Sequence, residues 1–233
     1  MKNRRHFSDG YDEQEDGDGR NSHSRRPAHA ANPVAAGKIL SLRIGSGSMS
    51  GRKILPPPGN ETRPMTGFAK KSLFSILMQQ LDGAVVLDLY SGTGTLGLES
   101  HSNGAAKVYF AEQSRRVVER LKENIAALGV ADRSEVWEGN IDLRLADWLM
   151  KLRQPFDVAF VDPPYASART WDWAVAESRI FAPLAGKIAD DGVVVLRVPG
   201  NVELPEKLGG LAIKRMKEYG DMKVGFYGRA ETV

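Results

Sequence analysis

The chain has 233 residues, 42% hydrophobic and 26% charged, which is ordinary for a globular protein with one sizeable core. It contains no cysteine, which excludes a cysteine nucleophile, a thiolate metal site and a disulfide framework. The net charge of +3 is uneven: residues 1–37 are neutral overall, whereas residues 43–71 carry six basic side chains and one acid.

Three segments follow from the composition along the chain. Residues 1–37 are polar and nearly free of large apolar side chains, so burial cannot offset their chain entropy, and we predict a disordered tail. Residues 38–82 are predicted to form a basic extension, and residues 83–233 the main domain. No apolar run reaches membrane-spanning length and no secretory signal is evident, so we expect a cytoplasmic protein without a membrane partner.

The basic extension has the pattern of a hairpin followed by a helix. Residues 39–44 are predicted to form a strand, Gly45 begins a turn, and residues 52–55 can pair back onto the strand. Thr66 is a candidate N-cap for a helix whose apolar residues recur at helical spacing as far as Leu81.

From residue 84 onward, predicted strands and helices alternate. The strands are at 84–89, 107–111, 134–137, 157–161 and 192–198, with two more at about 211–217 and 223–229. Four helices are predicted: one that begins near residue 96, one over 114–128, and two at about 142–152 and 171–182. This alternation predicts an α/β fold with a parallel sheet covered by helices on both faces.

The first motif is a glycine-rich loop, Asp88-Leu-Tyr90-Ser91-Gly92-Thr-Gly94-Thr-Leu-Gly97, between the first strand of the main domain and a helix. Glycines at such a turn let the backbone approach a ligand closely. The spacing also fits a dinucleotide site, so a nicotinamide or flavin enzyme and a tight turn without ligand stay open. Asp88 would repel a pyrophosphate but suits the cationic ammonium and sulfonium of S-adenosylmethionine.

Two further polar residues follow the next strands and complete the candidate cofactor site. Glu112 ends the second strand, 20 residues after Gly92, where an acid can accept hydrogen bonds from both ribose hydroxyls of either cofactor. Asn140, after the third strand, could bond an adenine ring, although a helix-start asparagine explains it as well. Glu112 could likewise be an exposed helix-capping acid.

The decisive motif is Asp162-Pro163-Pro164-Tyr165, directly after the fourth strand. A carboxylate that accepts an N–H from an aromatic amine localises the nitrogen lone pair and stabilises the positive charge that develops there. The prolines fix the backbone so that a carbonyl can accept the second proton, and Tyr165 offers a face on which a flipped-out base can stack. A proline-rich turn without chemistry is the alternative.

Three aromatic residues outside these motifs are weaker candidates. Trp171 and Trp173 could wall a base pocket, but core packing is the better interpretation. His101 stands alone on a predicted helix and is interpreted as structural, and we expect no metal site.

These motifs together resemble class I Rossmann-like methyltransferases. The N-terminal residues narrow the resemblance to the RsmD family, whose members methylate guanine N2 in 16S ribosomal RNA. The matching segments are Arg43-Ile-Gly-Ser-Gly47, Gly51-Arg-Lys53, Arg63-Pro-Met-Thr66, Leu73-Phe74, Gly97-Leu-Glu99 and Asn103-Gly-Ala105. The similarity covers about residues 40–230 and departs from the family pattern at Gly67, Phe68 and Lys71.

The resemblance implies a seven-stranded, mostly parallel sheet whose last strand is antiparallel. It also implies S-adenosylmethionine as the methyl donor, 16S rRNA or the 30S subunit as the partner, and the roles argued above for Asp162 and Tyr165. Six basic residues are predicted to grip RNA phosphates: Arg43, Arg52, Lys53, Arg63, Lys70 and Lys71. We expect a monomer. DNA amino methylation and an inert RNA-binding assembly factor remain alternatives.

Overall fold

The computed structural model of the chain describes residues 42–58 and 65–230. The strands in that part of the chain are β1 (Leu42–Arg43), β2 (Lys53–Ile54), β3 (Val85–Leu89), β4 (Lys107–Glu112), β5 (Ser134–Glu138), β6 (Phe156–Val161), β7 (Ile188–Pro199), β8 (Lys207–Leu208), β9 (Leu211–Tyr219) and β10 (Met222–Arg229). The α-helices are α1 (Gly67–Leu81), α2 (Thr95–Ser102), α3 (Arg115–Leu128), α4 (Ile141–Met150), α5 (Tyr165–Arg169), α6 (Trp173–Ala176) and α7 (Ala182–Ala185).

Eight strands form one sheet in the order β5-β4-β3-β6-β7-β10-β9-β8. Strands β3 to β7 are parallel, and β10, β9 and β8 continue the sheet with antiparallel pairings. The strand order reverses at β3, which lies between β4 and β6, so the carboxyl ends of these three strands meet at one edge. The predicted α/β fold is confirmed; the sheet has an eighth strand because two residues, Lys207 and Leu208, pair with the start of β9.

The N-terminal extension shares its hydrophobic core with the main domain. Strands β1 and β2 form the predicted antiparallel hairpin, with Leu42 opposite Ile54. Helix α1 begins at its predicted cap, where the Thr66 hydroxyl accepts a hydrogen bond from the Ala69 N–H. The ring of Phe74 on α1 lies 5.9 Å from that of Phe160 on β6. The extension is therefore packed on one face of the sheet.

The hairpin turn is held by the carboxylate of Glu99, which lies on α2. Glu99 accepts hydrogen bonds from the backbone of Gly45 at 2.9 Å and from the backbone and hydroxyl of Ser46 at 2.7 and 2.9 Å. The Lys70 ammonium lies 2.7 Å from the same carboxylate. Gly47 has φ +77°, and a Cβ there would lie 1.9 Å from the Ser102 carbonyl oxygen, so only glycine fits this approach.

The helix predicted at about 171–182 is confirmed as a helical stretch over residues 173–185, in which a π-helical turn lies between α6 and α7. After α5 the chain leaves the helix at Thr170, and the Asp172 carboxylate accepts from Ala174 N–H at 2.9 Å to start α6. A π-helical turn over Glu177–Phe181 follows, and α7 has a proline in its first turn. Capping by Asp172 therefore sets the start of this helix at Trp173.

Some of the sequence predictions fall outside the described residues. These are the tail at 1–37, the first part of the strand at 39–44, and Arg63. Within the described ranges, every helix is too short or too polar to cross a membrane.

Candidate active site

The loop between β3 and α2 is built from residues in the left-handed backbone region. Tyr90, Gly92 and Gly94 have φ values of 61°, 55° and 86°. The Gly94 N–H donates to the Ser91 carbonyl at 2.8 Å, which closes the turn. A side chain at Gly97 would lie 2.3 Å from the Phe110 ring, so this glycine lets α2 pack tightly on the sheet. The glycines thus fix a strand-to-helix turn of the kind that the sequence predicts.

Two features of the loop fit a bound ligand. A Cβ built on Gly92 meets no atom within 4 Å, so the backbone there faces open space. The Ser91 hydroxyl oxygen is buried and has no hydrogen-bond partner among the described residues. Because buried polar atoms are normally paired, an unpaired hydroxyl beside an open backbone fits a loop that hydrogen-bonds a ligand.

Glu112 stands at the end of β4 with its carboxylate beside the loop. One oxygen accepts from the Gly92 N–H at 3.0 Å and the other from the Ser114 N–H at 2.8 Å. Because each carboxylate oxygen can accept two hydrogen bonds, both retain capacity for a further donor such as a hydroxyl. The backbone therefore orients Glu112 and leaves it able to bind a diol.

Asp88 lies beneath the loop and not on its surface. Its side chain is buried and accepts from the Gly97 N–H at 2.8 Å. Burial raises the pKa of Asp88 well above its usual range, and the charges of Asp162 and Glu112 raise it further. Three carboxyl groups therefore share this sheet edge. The ionised forms of Asp88 and Glu112 would favour a cation and disfavour a pyrophosphate, and Asp88 also holds the loop through its bond to Gly97.

Tyr90 and Asn140 both make contacts with the start of α4. The Tyr90 hydroxyl donates to the Asp142 carboxylate at 2.8 Å. Asn140 is exposed, and its side chain accepts from the Leu143 N–H at 3.3 Å, which is the helix-start role weighed above. Asp142 was not singled out from the sequence, because a single acid in the first turn of a helix has no motif to distinguish it.

The Asp162 motif lies at the same edge, at the end of β6. The Asp162 N–H donates to the Leu89 carbonyl at 3.3 Å, which joins it to the end of β3 beside the loop. Pro163 is buried, and Pro164 has φ −52° and precedes α5, where its carbonyl accepts from Ala168 N–H at 3.0 Å. Tyr165 begins α5 and is half-buried. The fold thus brings the carboxylate and the ring together beside the glycine-rich loop.

Arg197, on β7, contacts both of these side chains and was not identified from the sequence. Its Nε bonds the Asp162 carboxylate in an ion pair. Its guanidinium carbon lies 5.3 Å from the centre of the Tyr165 ring, within cation–π range. Burial raises the pKa of Asp162, and the Arg197 charge acts in the opposite direction. Arg197 lies among apolar residues near the carboxyl end of β7. A charged residue at that place in a buried strand is the one sequence feature that could have indicated a site.

The basic residues predicted to contact RNA differ in how exposed they are and in the contacts that they already make within the protein. Lys53 and Lys71 are exposed, and Arg43 is exposed while donating to the Gly51 carbonyl at 2.8 Å. Arg52 donates to the Leu128 carbonyl at 3.1 Å and so caps the end of α3. The prediction for Lys70 requires correction, because its side chain is only 9% exposed and its charge pairs with Glu99.

The remaining candidates are mainly structural. The Trp171 ring lies 6.4 Å from Tyr90 and 6.2 Å from Phe181, so it packs between the loop and the core. Trp173 lies 5.7 Å from Trp171. His101 is buried, and burial lowers its pKa to about 4. Among the described residues, no cluster of His, Asp and Glu could hold a metal ion.

Comparison with known proteins places the chain in a family. A sequence model of the family described as conserved hypothetical protein 95 matches residues 42–228. The chain is 30% identical over 191 residues to the Bacillus subtilis protein named "Putative rRNA methyltransferase YlbH", covering 80% of this chain and 98% of that protein. It is 28% identical to "Ribosomal RNA small subunit methyltransferase D" of Escherichia coli K12, covering 81% and 90% of the two chains.

The solved structures agree. The structure of the hypothetical protein TTHA0928 of Thermus thermophilus superposes with a TM-score of 0.66 and 26% identity, covering 79% of this chain and 98% of that one. The sheet order and the glycine-rich loop described above are those expected of a Rossmann-like methyltransferase. The family match spans most of the chain, and the chain therefore belongs to the RsmD family of methyltransferases.

Proposed function

We propose that the chain transfers a methyl group from S-adenosylmethionine to the exocyclic N2 amine of a guanine in 16S rRNA. The observation that carries this proposal is the placement of Asp162 and Tyr165 at the carboxyl edge of β6, beside the loop that follows β3. The E. coli relative named as an rRNA small-subunit methyltransferase supports RNA as the substrate class. The carboxylate and ring support an aromatic amine as the acceptor.

The residues at the loop fit S-adenosylmethionine. Glu112 retains acceptor capacity for the ribose hydroxyls, and Gly92 leaves its backbone open to the ligand. Ser91 offers an unpaired buried hydroxyl, and the carboxyl groups of Asp88 and Glu112 favour a cationic ligand. Asp88, Tyr90, Gly94 and Asn140 complete the proposed set, the first three by shaping the loop. When bound, the donor supplies an electrophilic methyl group.

The chain's own residues would then activate and orient the amine. The Asp162 carboxylate accepts one N–H of the guanine amine, which localises the nitrogen lone pair and stabilises the charge that develops there. The Pro163 carbonyl accepts the other N–H, and Pro164 holds the backbone that presents it. Tyr165 stacks on the extruded base. The nitrogen–carbon bond would form as the carbon–sulfur bond of the donor breaks, so that S-adenosylhomocysteine leaves and the proton lost from nitrogen passes through the Asp162 carboxylate to solvent. Orientation of the amine toward the methyl group supplies much of the remaining acceleration.

The exposed basic residues of the extension would hold the RNA backbone. Arg43, Lys53 and Lys71 are exposed, and Arg52 combines its contact to α3 with an exposed position. Arg63 stays in the proposed set. Such contacts position a substrate without reading its sequence, and they weaken as salt concentration rises.

The test is incubation of the protein with isotopically labelled donor and unmodified 16S RNA or 30S particles, followed by nucleoside mass spectrometry. The proposal predicts labelled N2-methylguanosine. In a parallel incubation with DNA, label in methyladenine or methylcytosine would favour the amino-methylating DNA enzyme instead. If calorimetry shows that the donor binds but no methyl group reaches either the 16S RNA or the 30S particle, an inert assembly factor is favoured. Binding of a nicotinamide cofactor in place of the donor would refute the proposal.

A further inference from the structure

We propose that Arg197 is a positioning residue for methyl transfer: it fixes the Asp162 carboxylate and the Tyr165 ring relative to each other. The proposal rests on the proposed function for its catalytic consequence. Its electrostatic part, that the guanidinium controls the ionisation of Asp162, can be tested without any substrate.

The geometry places Arg197 on the rigid part of the site. Strand β7 runs parallel to β6, with Leu196 beside Val161, so Arg197 and Asp162 come directly after a pair of neighbouring residues at the same sheet edge. Arg197 itself pairs with Val224 of β10, which makes its backbone part of a central strand. Asp162 and Tyr165, by contrast, lie in the turn that leaves the sheet. A residue anchored in the sheet thus contacts both residues of the turn.

The shape of the guanidinium allows both contacts at once. Its Nε edge bonds the Asp162 carboxylate, and its carbon lies 5.3 Å from the centre of the Tyr165 ring. A planar guanidinium can donate hydrogen bonds at its edge and stack with its face, whereas a lysine ammonium acts as a point charge. Lysine at this position would therefore keep the charge and lose the planar contact.

Burial and charge give Arg197 a second effect on Asp162. The Asp162 and Arg197 side chains are 18% and 12% exposed, so the pair is largely removed from water. Among the described residues, the charged groups that act on Asp162 are Arg197 from β7 and Asp88 from β3, and Tyr165 of α5 lies against the same guanidinium. Burial favours the neutral acid and Arg197 favours the carboxylate. Arg197 thus keeps Asp162 in the form that accepts an N–H.

The first test is an NMR titration of the Asp162 side-chain carboxyl carbon in the full chain. We compare the wild type with Arg197→Met and Arg197→Lys. The proposal predicts that the Asp162 midpoint moves to higher pH in Arg197→Met and returns toward the wild-type value in Arg197→Lys. The matched control is Arg229→Met, which removes an arginine paired with Asp190 near the start of β7. An unchanged midpoint in Arg197→Met would overturn the proposal.

The second test measures kcat and KM for the RNA against pH. For Arg197→Met we expect kcat to fall roughly 10- to 100-fold, with the acidic limb of its pH profile moved to higher pH and the donor affinity retained. For Arg197→Lys we expect the pH profile of the wild type with a lower kcat, because the charge remains and the planar contact is lost. A variant faster than the wild type would show that the ion pair blocks the site, which contradicts the proposal.

The two tests separate this proposal from the proposed function. If the wild type transfers no methyl group to RNA, the proposed function fails, while the NMR titration still decides whether Arg197 controls Asp162. Thermal unfolding of each variant establishes that it is folded. If Arg197→Met does not fold, Arg197→Lys and Arg197→Gln carry the same comparison.

Discussion

Two ion pairs in this molecule, Glu99–Lys70 and Asp162–Arg197, have similar chemistry and different surroundings. Glu99 pairs with Lys70 and also accepts hydrogen bonds from the backbone of Gly45 and Ser46, so its carboxylate is 1% exposed. Asp162 pairs with Arg197 and is 18% exposed at the edge of the sheet. The first pair uses its acceptor capacity to hold the N-terminal hairpin. The second leaves part of the carboxylate accessible, which the proposed role as an acceptor for the amine requires.

The largest expected effect is a loss of stability on breaking the pair between Glu99 and Lys70. Glu99→Gln leaves the Lys70 ammonium buried without its counter-ion and weakens the bonds to the hairpin turn. Breaking a buried pair by removing one partner costs about 3–5 kcal/mol, so we expect a loss of that order in the free energy of unfolding. Chemical denaturation measures it.

A surface pair on α3 provides the matched control. Glu119 lies 3.7 Å from Arg115, and both side chains are mostly exposed. Because exposed helix pairs contribute about 0.3–0.5 kcal/mol, Glu119→Gln should change stability very little. Equal effects of the two substitutions would contradict the view that Glu99 anchors the extension.

A smaller effect on stability should depend on pH and come from the buried side chain of His101. His101 lies on α2 with Glu99, and burial lowers its pKa to about 4. The unfolded chain binds this proton below about pH 6.5, whereas the folded chain does not. The contribution of His101 to stability is therefore fully present above that pH and is lost as pH is lowered toward 4, by about 3 kcal/mol. His101→Gln should remove this part of the dependence in denaturation curves recorded at several pH values.

The smallest predicted effect concerns how Asp88 contributes to binding of the proposed methyl donor. Burial raises the pKa of Asp88, and a cationic donor prefers the ionised form. Donor affinity should therefore increase as pH rises through the Asp88 pKa. Asp88→Asn can still accept from the Gly97 N–H, so we expect a folded protein with roughly tenfold weaker donor binding, which is about 1.4 kcal/mol. Calorimetry that finds no loss would show that the Asp88 charge does not contribute.

The sequence was sufficient for those features that depend on local pattern. Apolar runs separated by helices predicted the parallel sheet, and the position of Asp162 after a buried strand placed it at the carboxyl edge. The glycine-rich loop was likewise predicted from glycines at a strand-to-helix turn, and three of its residues have positive φ. Each of these features lies within one short segment, where residue order alone determines what is adjacent.

Features that depend on contacts between distant segments were not predicted. Lys70 looked like a surface cation, but α1 turns it toward Glu99, 29 residues further along the chain. Arg197 gave no signal, because its partners belong to another strand and helix. The same holds for Asp142, whose bond to Tyr90 spans two crossovers. Charge counts along a sequence do not distinguish a solvated cation from a paired one.

We propose that the Asp162 carboxylate activates the amine and does not bind the donor. The most direct test is the single-turnover rate of methyl transfer by Asp162→Asn, at a donor concentration shown by calorimetry to saturate both proteins. We predict unchanged donor affinity and a rate about 10²–10⁴-fold below that of the wild type. Transfer at the wild-type rate would show that the Asp162 carboxylate does not activate the amine.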